Sequence, residues 1–469
     1  MRSFLYWAVQ HKWLLLAFLI GILLLLPTPP PDLSHHGRQS LVIAVVAMIL
    51  FITEPIPLPA IALMIAVSQV LFGIASPTEV AHTYMNDSVF FILGSLMLAV
   101  AIVKQKLDRR LAVAIFRITG PKVSRIVLGL IGVSAFLASL MGEHTVAAIM
   151  MPVAVSLIRH AGGESKSTPR LSALLLFSIS YACAIAGLGT PSGGARNAIM
   201  IEYWSRLYQV KVSYFAWIRY AYPMVLIQAP VLALILLWRF SPEKSDLSTA
   251  LRKLRAQVLW EGKMRSSDWL TVGIFCLTLF LWVSLSGKIG LGTPALIGVS
   301  LYLIAGLVDW EDLNTGVNWG VFLIYASTIS LGVAIEGTGA AEWVASHFLE
   351  LIASLGLHSG TGLLAAVAAL TVAVSCFISR APALGILTPI VLSMARDSGT
   401  SVLAMGFTAA MASAFTYMTV VGSPSNTIIF SSGYLQPRDY LRAGGWMTLA
   451  SLALLLLLEE TYWRWVLPL

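Results

Sequence analysis

FLASLMGEHTVAAIMMPVAVSL (136–157) and VSCFISRAPALGILTPIVLSM (374–394) are two apolar segments with polar residues in the middle. The polar interruptions are GEHT (142–145) in the first and SRAP (379–382) in the second. Each segment could be one long membrane span with a buried charge, or two half-depth helices joined by a polar tip. Irregular backbone at membrane depth survives only where it is buried in protein or lines a cavity, so the tip is the less costly arrangement. We therefore expect two re-entrant helical hairpins.

The hairpins are expected at 123–161 and 361–396, and each is followed by a second interrupted apolar segment. These segments are GTPSGGARNAIMI (189–201) and VVGSPSNTIIF (420–430), which align on an asparagine. Gly and Pro inside an apolar run interrupt a helix. We therefore expect a broken helix after each hairpin, and the same order of elements in both halves of the chain.

The repeated order divides the chain into three parts. We predict a first repeat at 1–240, a charged cytoplasmic linker at 241–268 and a second repeat at 269–469. The predicted topology brings the two hairpins into the membrane from opposite faces. Inverted repeats with broken helices that meet near mid-membrane are typical of secondary transporters.

The composition requires lipid as part of the solvent. Of the 469 residues, 58% are hydrophobic and 11% are charged, whereas soluble domains contain roughly 45–50% apolar and about 25% charged residues. A helix needs roughly 20 apolar residues to cross a membrane, so the chain is predicted to be an all-α polytopic membrane protein with about eleven transmembrane helices. The apolar stretches that meet or approach this length are 4–26, 40–53, 56–74, 88–103, 171–190, 213–239, 269–286, 292–308, 317–335, 401–421 and 441–463.

The charge distribution predicts the orientation in the membrane. The chain carries a formal net charge of +8. With the N-terminus in the cytoplasm, basic residues on the cytoplasmic side outnumber those outside by about three to one, as the positive-inside rule requires. We expect a multi-pass protein of the cell membrane, specifically a bacterial inner membrane, in contact with lipid and without nucleic acid as a partner.

The sequence lacks the usual motifs of catalysis. It has no nucleotide-binding loop, no His-Glu-x-x-His helix and no Ser/His/Asp set on a common face. We therefore expect a carrier and not an enzyme.

The order of hairpin, broken helix, linker, second hairpin and second broken helix resembles the divalent anion/sodium symporter family of the ion transporter superfamily. The resemblance covers nearly the whole chain. It implies a secondary active transporter that binds a dicarboxylate, tricarboxylate or sulfate between the tips and the breaks. Two sodium ions would lie beside the substrate, held by carbonyl and side-chain oxygens. It also implies a homodimer in which the hairpin-bearing part moves as an elevator against a fixed scaffold.

The family pattern identifies candidate site residues by position. Family tips carry Ser-Asn-Thr, and family breaks carry Thr-Pro-Pro-Asn. Here the tips are Gly-Glu-His (142–144) and Ser-Arg-Ala (379–381), and the breaks are Gly-Ala-Arg-Asn (194–197) and Ser-Pro-Ser-Asn (423–426). The resemblance therefore implies a substrate site formed by Gly142, Glu143, His144, Thr145, Arg196, Asn197, Ser379, Arg380, Ala381, Ser423, Pro424 and Asn426.

Charged residues at these positions change the expected coupling ion. Arg380 would repel a nearby metal ion, and its guanidinium offers several hydrogen-bond donors to an anion. Glu143 and His144 can both change protonation state, and protonatable side chains at mid-membrane are parts of proton relays. We therefore expect no metal site and no cofactor. Proton coupling through Glu143 and His144, or obligate anion exchange, would replace the sodium of the family.

The charge of the site favours a dianion. Arg196 and Arg380 together with an ionised Glu143 sum to +1, and protonation of Glu143 or His144 raises this sum to +2. We therefore predict transport of a small divalent anion, such as a dicarboxylate, a sulfonate or sulfate.

Other interpretations are open at this point. Glu143 and Arg380 could form a purely structural ion pair, and Arg196 could extend towards the outer interface. The chain could also be an ordinary sodium-coupled dicarboxylate/sulfate symporter, or a cation/proton antiporter of the same superfamily. The fixed positive charge of Arg380 argues against a cation path.

Overall fold

The computed structural model describes residues 11–30, 32–107, 119–161, 168–249, 252, 264–357 and 359–467. Within these ranges the chain is built from helices, and the only strand-like feature is a bridge pair between Lys122 and Asp246. The predicted all-α class is confirmed. Much of the predicted linker 241–268 lies outside the described residues.

The first part of the chain contains helices that begin at local caps. Ser34 and Asn86 each accept a hydrogen bond through the side chain from the backbone amide three residues later, which satisfies one free donor of the first turn. The helices are α1 Lys12–Leu25, α2 His35–Thr53, α3 Leu58–Leu71, α4 Pro77–Tyr84 and α5 Asp87–Lys104.

The first hairpin consists of α6 Val123–Met141 and α7 Glu143–His160. Gly142 joins them with φ 84°, a backbone conformation that favours glycine, so one residue suffices for the tip. A broken helix and a long helix complete this half. They are α8 Pro169–Ala186, the short 3-10 turn Pro191–Gly193, α9 Ala195–Tyr208 and α10 Tyr214–Arg239.

The second half has the same order of elements. It begins with α11 Ser266–Ile289, α12 Gly292–Ile304, α13 Trp310–Gly316, α14 Trp319–Gly337 and α15 Ala340–Ala353. The second hairpin consists of α16 Gly360–Phe377 and α17 Arg380–Ser398, and the second broken helix of α18 Val402–Ala412 and α19 Pro424–Phe430. The chain ends in α20 Pro437–Leu458, a π-helical turn Glu459–Trp463 and α21 Arg464–Val466.

The helices have the length and composition of a polytopic membrane protein. Among the described residues, nine helices are long and apolar enough to cross a membrane. Two predicted spans, 171–190 and 401–421, are shorter than expected because their helices end at Ala186 and Ala412. The sequence stays largely apolar beyond both ends. A prediction from hydrophobicity alone therefore continues these two spans into the breaks.

The two halves pack against each other in a crossed pattern. The second arm of hairpin 1, α7, contacts α19 of the other half, and the second arm of hairpin 2, α17, contacts α9. Both hairpin tips therefore lie beside the breaks, with α5 and α14 packed alongside. The opposite membrane orientation of the two halves, the re-entrant depth of the hairpins and the division at 241–268 stay predictions.

Helices α14 and α17 approach closely at two glycines. A Cβ at Gly385 would lie 2.6 Å from Cβ of Thr328, and a Cβ at Gly332 would lie 2.6 Å from the carbonyl oxygen of Gly385. A larger residue at either position would force the helices apart. The contact holds the first half of α17, including Arg380, against α14.

The segment that follows α10 is tied to hairpin 1 and to α8. The Glu243 carboxylate accepts hydrogen bonds from the backbone amides of Arg170 and Leu171, both at 2.9 Å. The Val123 amide donates to the carbonyl oxygen of Ser245 at 3.0 Å. An acidic side chain at the first turn of α8 interacts favourably with the helix dipole. Through these hydrogen bonds the segment connects the base of hairpin 1 to the start of α8.

Candidate functional site

Three charged side chains from separate helices meet at the hairpin tips. Arg196 Nη1 donates to Glu143 Oε1 at 3.2 Å, and Arg380 Nη1 donates to the other oxygen, Oε2, of the same carboxylate. Arg196 and Arg380 are each 2% exposed and Glu143 is 7% exposed. The carboxylate therefore bridges two buried guanidinium groups.

The three charged residues lie at the starts of their helices. Glu143 and Arg380 are the first residues of α7 and α17, and Arg196 is the second residue of α9. The N-terminal end of a helix stabilises an anion and is unfavourable for a cation. Two buried arginines at helix starts are therefore costly for stability alone. An arrangement of this kind is suited to holding negative charge.

Arg380 reaches into the second break. Its Nε donates to Thr416 Oγ1 at 2.9 Å, and Thr416 Oγ1 donates in turn to the carbonyl oxygen of Gly422 at 3.1 Å. These contacts fix the guanidinium plane between the hairpin tip and the break that separates α18 from α19.

Arg196 occupies the corresponding place in the first break. Its Nη2 donates to the carbonyl oxygen of Ala184 at 3.4 Å. A Cβ at Gly187 or Gly194 would lie 3.0 Å from a guanidinium nitrogen, so both glycines make room for the side chain. Arg196 is therefore buried in the protein, and the alternative that it extends to the outer interface is wrong.

Asn197 and Asn426 hold the two breaks closed. Asn197 Nδ2 donates to the carbonyl oxygens of Gly187 and Thr190, both at 2.7 Å. Asn426 Nδ2 donates to those of Thr416 and Thr419, at 3.1 and 2.8 Å. In both breaks the acceptors lie 10 and 7 residues before the asparagine. The amide nitrogens of both predicted site residues are thus committed to the backbone.

A threonine in each break makes equivalent hydrogen bonds in the two halves of the chain. Thr190 Oγ1 donates to the carbonyl oxygen of Ser139 in hairpin 1, and Thr419 Oγ1 donates to that of Cys376 in hairpin 2. Each threonine hydroxyl also accepts a hydrogen bond from the glycine amide three residues later. The two halves thus connect hairpin to break by equivalent hydrogen bonds, which supports an internal repeat.

The other predicted site residues surround the charged cluster. Ser423 is buried and shares a hydrogen bond of 2.7 Å with Ser425. Ala381 is buried directly after Arg380. The remaining residues, which are Gly142, His144, Thr145, Ser379 and Pro424, line the cavities described next.

Three cavities lined by described residues adjoin the site. A small one of about 40 Å³ lies against Glu143, His144 and Pro424. A second of about 340 Å³ is lined by Ser379 and Pro424, among others, and reaches the end of α2. A third of about 510 Å³ is lined by His144 and Thr145 and reaches the end of α5 and the start of α14. The space at the charged cluster itself has room for a few water molecules and is too small for a dicarboxylate.

Two site residues escaped the sequence analysis. Thr416 is the hydrogen-bond partner of Arg380, and Tyr325 of α14 lines both the small cavity and the 340 Å³ cavity. Thr416 precedes Asn426 by the same interval as Gly187 precedes Asn197, so an alignment extended further back from the asparagines would have included it. Tyr325 lies in a plain apolar helix, and no sequence signal distinguishes it.

Positive charge lies in both breaks, beside which the resemblance implies two sodium ions. The carbonyl oxygens of the breaks accept hydrogen bonds from Asn197 and Asn426, and each break contains a guanidinium group. A fixed cation in each break repels a second one.

Comparison with known proteins identifies the family. The family profile described as "sodium:sulfate symporter transmembrane region" matches residues 8–469. The chain belongs to this family. It is therefore a multi-pass membrane transporter, and the prediction that it is a carrier and not an enzyme is confirmed.

Bacterial relatives within the sodium:sulfate symporter family cover almost the same length. The sodium-dependent dicarboxylate transporter SdcS of Staphylococcus saprophyticus is 27% identical over 484 residues, which span 96% of this chain and 90% of that protein. The protein of the same name from Staphylococcus aureus strain USA300 is 27% identical over 477 residues, with the same coverage.

Two solved transporter structures share the fold at low sequence identity. The Alcanivorax borkumensis YdaH transporter has a TM-score of 0.56 and 13% identity, and the match covers 92% of this chain and 99% of that one. Neisseria gonorrhoeae MtrF has a TM-score of 0.58 and 12% identity, with 91% and 95% covered. At these identities the likeness concerns the fold alone.

Proposed function

We propose that this chain is a secondary active transporter of a small dianion, such as a dicarboxylate, a sulfonate or sulfate, and that it works without sodium. The dicarboxylate class is supported by the names of the relatives. The single observation that carries the sodium independence is the pair of buried guanidinium groups, one in each break.

The arginine pair supplies the chemistry for binding an anion. A guanidinium presents planar, forked donors that match a carboxylate, and charge-assisted hydrogen bonds of this kind are about twice as strong as neutral ones. Arg196 Nε and Arg380 Nη2 are buried, and within the described residues neither has a hydrogen-bond partner. These donors are available to a substrate that enters between the tips.

Electrostatics argues against a sodium ion in the same place. Two unit charges 4 Å apart repel each other by about 4 kcal/mol at an effective dielectric constant of about 20. A sodium ion within the first or second break would meet this repulsion from Arg196 or Arg380. The arginines instead attract the anion directly, which is the role that bound sodium plays in the family.

The proposed transport cycle follows the family resemblance. The hairpins and broken helices would move together as an elevator past a scaffold that includes α5 and α14, within a homodimer. The 340 Å³ and 510 Å³ cavities lie on the side where α2 and α5 end, which the charge pattern assigns to the cytoplasm. The substrate would leave through one of them into the cytoplasm of a bacterial cell.

Transport in proteoliposomes tests the proposal. Proteoliposomes that contain the purified protein are loaded with succinate. Counterflow of labelled succinate, sulfate and a small sulfonate is then measured in sodium and in choline medium. We expect equal rates in both media for at least one dianion. A rate that falls to the protein-free background in choline would overturn sodium independence.

An ordinary sodium-coupled symporter is the second candidate, since the relatives are named sodium-dependent. It requires sodium sites other than the two breaks. The choline experiment separates the two candidates, and a sodium-dependent shift of thermal stability would favour the second.

A further inference from the structure

We infer that the Glu143 carboxylate is a tethered competitor of the substrate, and that its protonation couples transport to the proton. The inference rests on the proposed function and decides between its two open modes, because it makes the chain a proton–dianion symporter and not an obligate exchanger.

The geometry of Glu143 is that of a bound carboxylate ligand. One oxygen accepts from Arg196 and the other from Arg380, so the acid occupies donors on both arginines at once. The cavity beside it has about 40 Å³, which cannot hold a dicarboxylate. Arg196 Nε and Arg380 Nη2 stay free for a first contact, and a substrate carboxylate takes over the two Nη1 donors only when Glu143 gives them up.

Charge balance indicates when Glu143 leaves. A dianion between Arg196 and Arg380 neutralises both guanidinium groups. An ionised Glu143 in the same buried place would leave a net charge of −1, and burying an unpaired charge is costly. A protonated Glu143 removes this charge. The proton therefore enters with the dianion and leaves with it.

The described groups that interact electrostatically with Glu143 are of other chemical kinds. They include His144 on its own helix, Cys183 of α8, Arg196 of α9, Tyr325 of α14 and Tyr417 beside the second break. Arg380 of α17 completes the set. Glu143 is the one carboxylate among these described groups, so it is the group that can exchange places with a substrate carboxylate.

His144 supplies a route for the proton. Its side chain is half-buried, and it lines both the small cavity at Glu143 and the 510 Å³ cavity that reaches the end of α5. A proton that enters this cavity through water meets the His144 ring directly before Glu143. The anion has a separate way in through the 340 Å³ cavity, past Ser379.

The first experiment compares wild type with Glu143→Gln, which imitates the protonated acid. Proteoliposomes receive an inwardly directed proton gradient in choline medium, and succinate accumulation and succinate–succinate exchange are both measured. Wild type is expected to accumulate succinate against its gradient. The variant is expected to lose the proton-driven accumulation and to exchange succinate at an altered rate that stays above the protein-free background.

Glu202→Gln is the matched control. Glu202 is a carboxylate of α9 that accepts a hydrogen bond from Ser88 at 3.0 Å, away from the arginine pair. We expect this variant to retain proton-driven accumulation. Proton-driven accumulation that survives in Glu143→Gln would overturn the inference, and so would a folded Glu143→Gln protein without exchange.

Binding provides a readout that does not depend on transport. We expect Glu143→Gln to bind succinate at least about tenfold more tightly than wild type at neutral pH, because a competing charge is gone. The affinity should also lose its pH dependence. An unchanged affinity and pH profile would show that Glu143 is a structural ion pair only.

Proton uptake by the wild-type protein tests the inference even if the variant does not fold. In weakly buffered solution at pH 7.5, succinate binding should take up about one proton per site. Binding without proton uptake would contradict the coupling while leaving the proposed function intact. If wild type itself required sodium in the choline experiment, the proposed function would fail before any variant is made.

Discussion

The two halves of the site share a frame of hydrogen bonds and differ in where their charged residues lie. In both, an asparagine closes the break through the same two carbonyl positions, and a threonine ties the break to its hairpin. In the first half the arginine lies in the break and the acid at the tip, whereas in the second half the arginine lies at the tip and Ser425 takes the position of Arg196. The shared hydrogen bonds shape the site, and the two halves contribute different charged residues to it.

Removal of Arg380 should have the largest effect. Arg380→Gln leaves Glu143 with one partner and takes away the charge that α17 gives to the cluster. We expect binding of succinate to weaken by about 2–5 kcal/mol, as for one side of a buried charge pair. Stability should fall by about 3–5 kcal/mol. Calorimetric titration and thermal unfolding in detergent measure the two quantities.

Arg396→Gln is the control on the same helix. Arg396 lies at the exposed end of α17 and pairs with Glu342. An exposed pair contributes about 0–1 kcal/mol, so succinate binding should be unaffected. Equal losses in both variants would mean that Arg380 acts through the stability of α17 alone.

Arg196→Ser gives the first break the residue that the second break already has. We expect weaker succinate binding but a smaller loss than for Arg380, by about 1–2 kcal/mol less, since the contacts of Arg196 with Glu143 and Ala184 are long at 3.2 and 3.4 Å. Isothermal titration of the two variants side by side measures the difference. A larger loss of succinate binding in Arg196→Ser than in Arg380→Gln would show that the first half contributes more to binding than the second.

Asn197→Ala and Asn426→Ala test the shared frame. Each substitution leaves two carbonyl oxygens of a buried break without their donor, at a cost of about 2–3 kcal/mol. The structural equivalence predicts similar losses of thermal stability in both variants, measured by unfolding in detergent. If one variant were as stable as wild type, the two breaks would not be held by the same means.

The smallest expected effect concerns the segment that follows α10, beside the base of hairpin 1 and the start of α8. Glu243→Gln weakens the acceptor for the amides of Arg170 and Leu171 at the start of α8, which should cost about 0.5–1 kcal/mol. Hydrogen exchange at these two amides should become faster, while exchange in α17 stays as in wild type. Unchanged hydrogen exchange at the amides of Arg170 and Leu171 would show that Glu243 does not stabilise the start of α8.

The hairpins were predictable because their signal is local. A polar tip inside an apolar segment is visible without knowledge of the fold, and the observed tips lie at Gly142 and at Ile378–Ser379, at or next to the predicted residues. The ends of α8 and α18 were not predictable from hydrophobicity, because the residues beyond Ala186 and Ala412 are largely apolar. Within the breaks that follow these ends, the carbonyl oxygens of Gly187 and Thr416 accept hydrogen bonds from asparagines that lie further along the chain.

The sequence by itself determined the membrane class, the order of hairpins and breaks, and the identity of the charged residues at the tips. These features follow from composition and from short patterns, because hydrophobic stretches and helix-breaking residues can be identified within short segments of the sequence. Only the tertiary structure decided that Glu143 bridges Arg196 and Arg380, which lie 53 and 237 residues away. Contacts between residues so far apart in the chain depend on how the helices pack. Side-chain chemistry alone does not show whether Glu143 pairs with one arginine or with both.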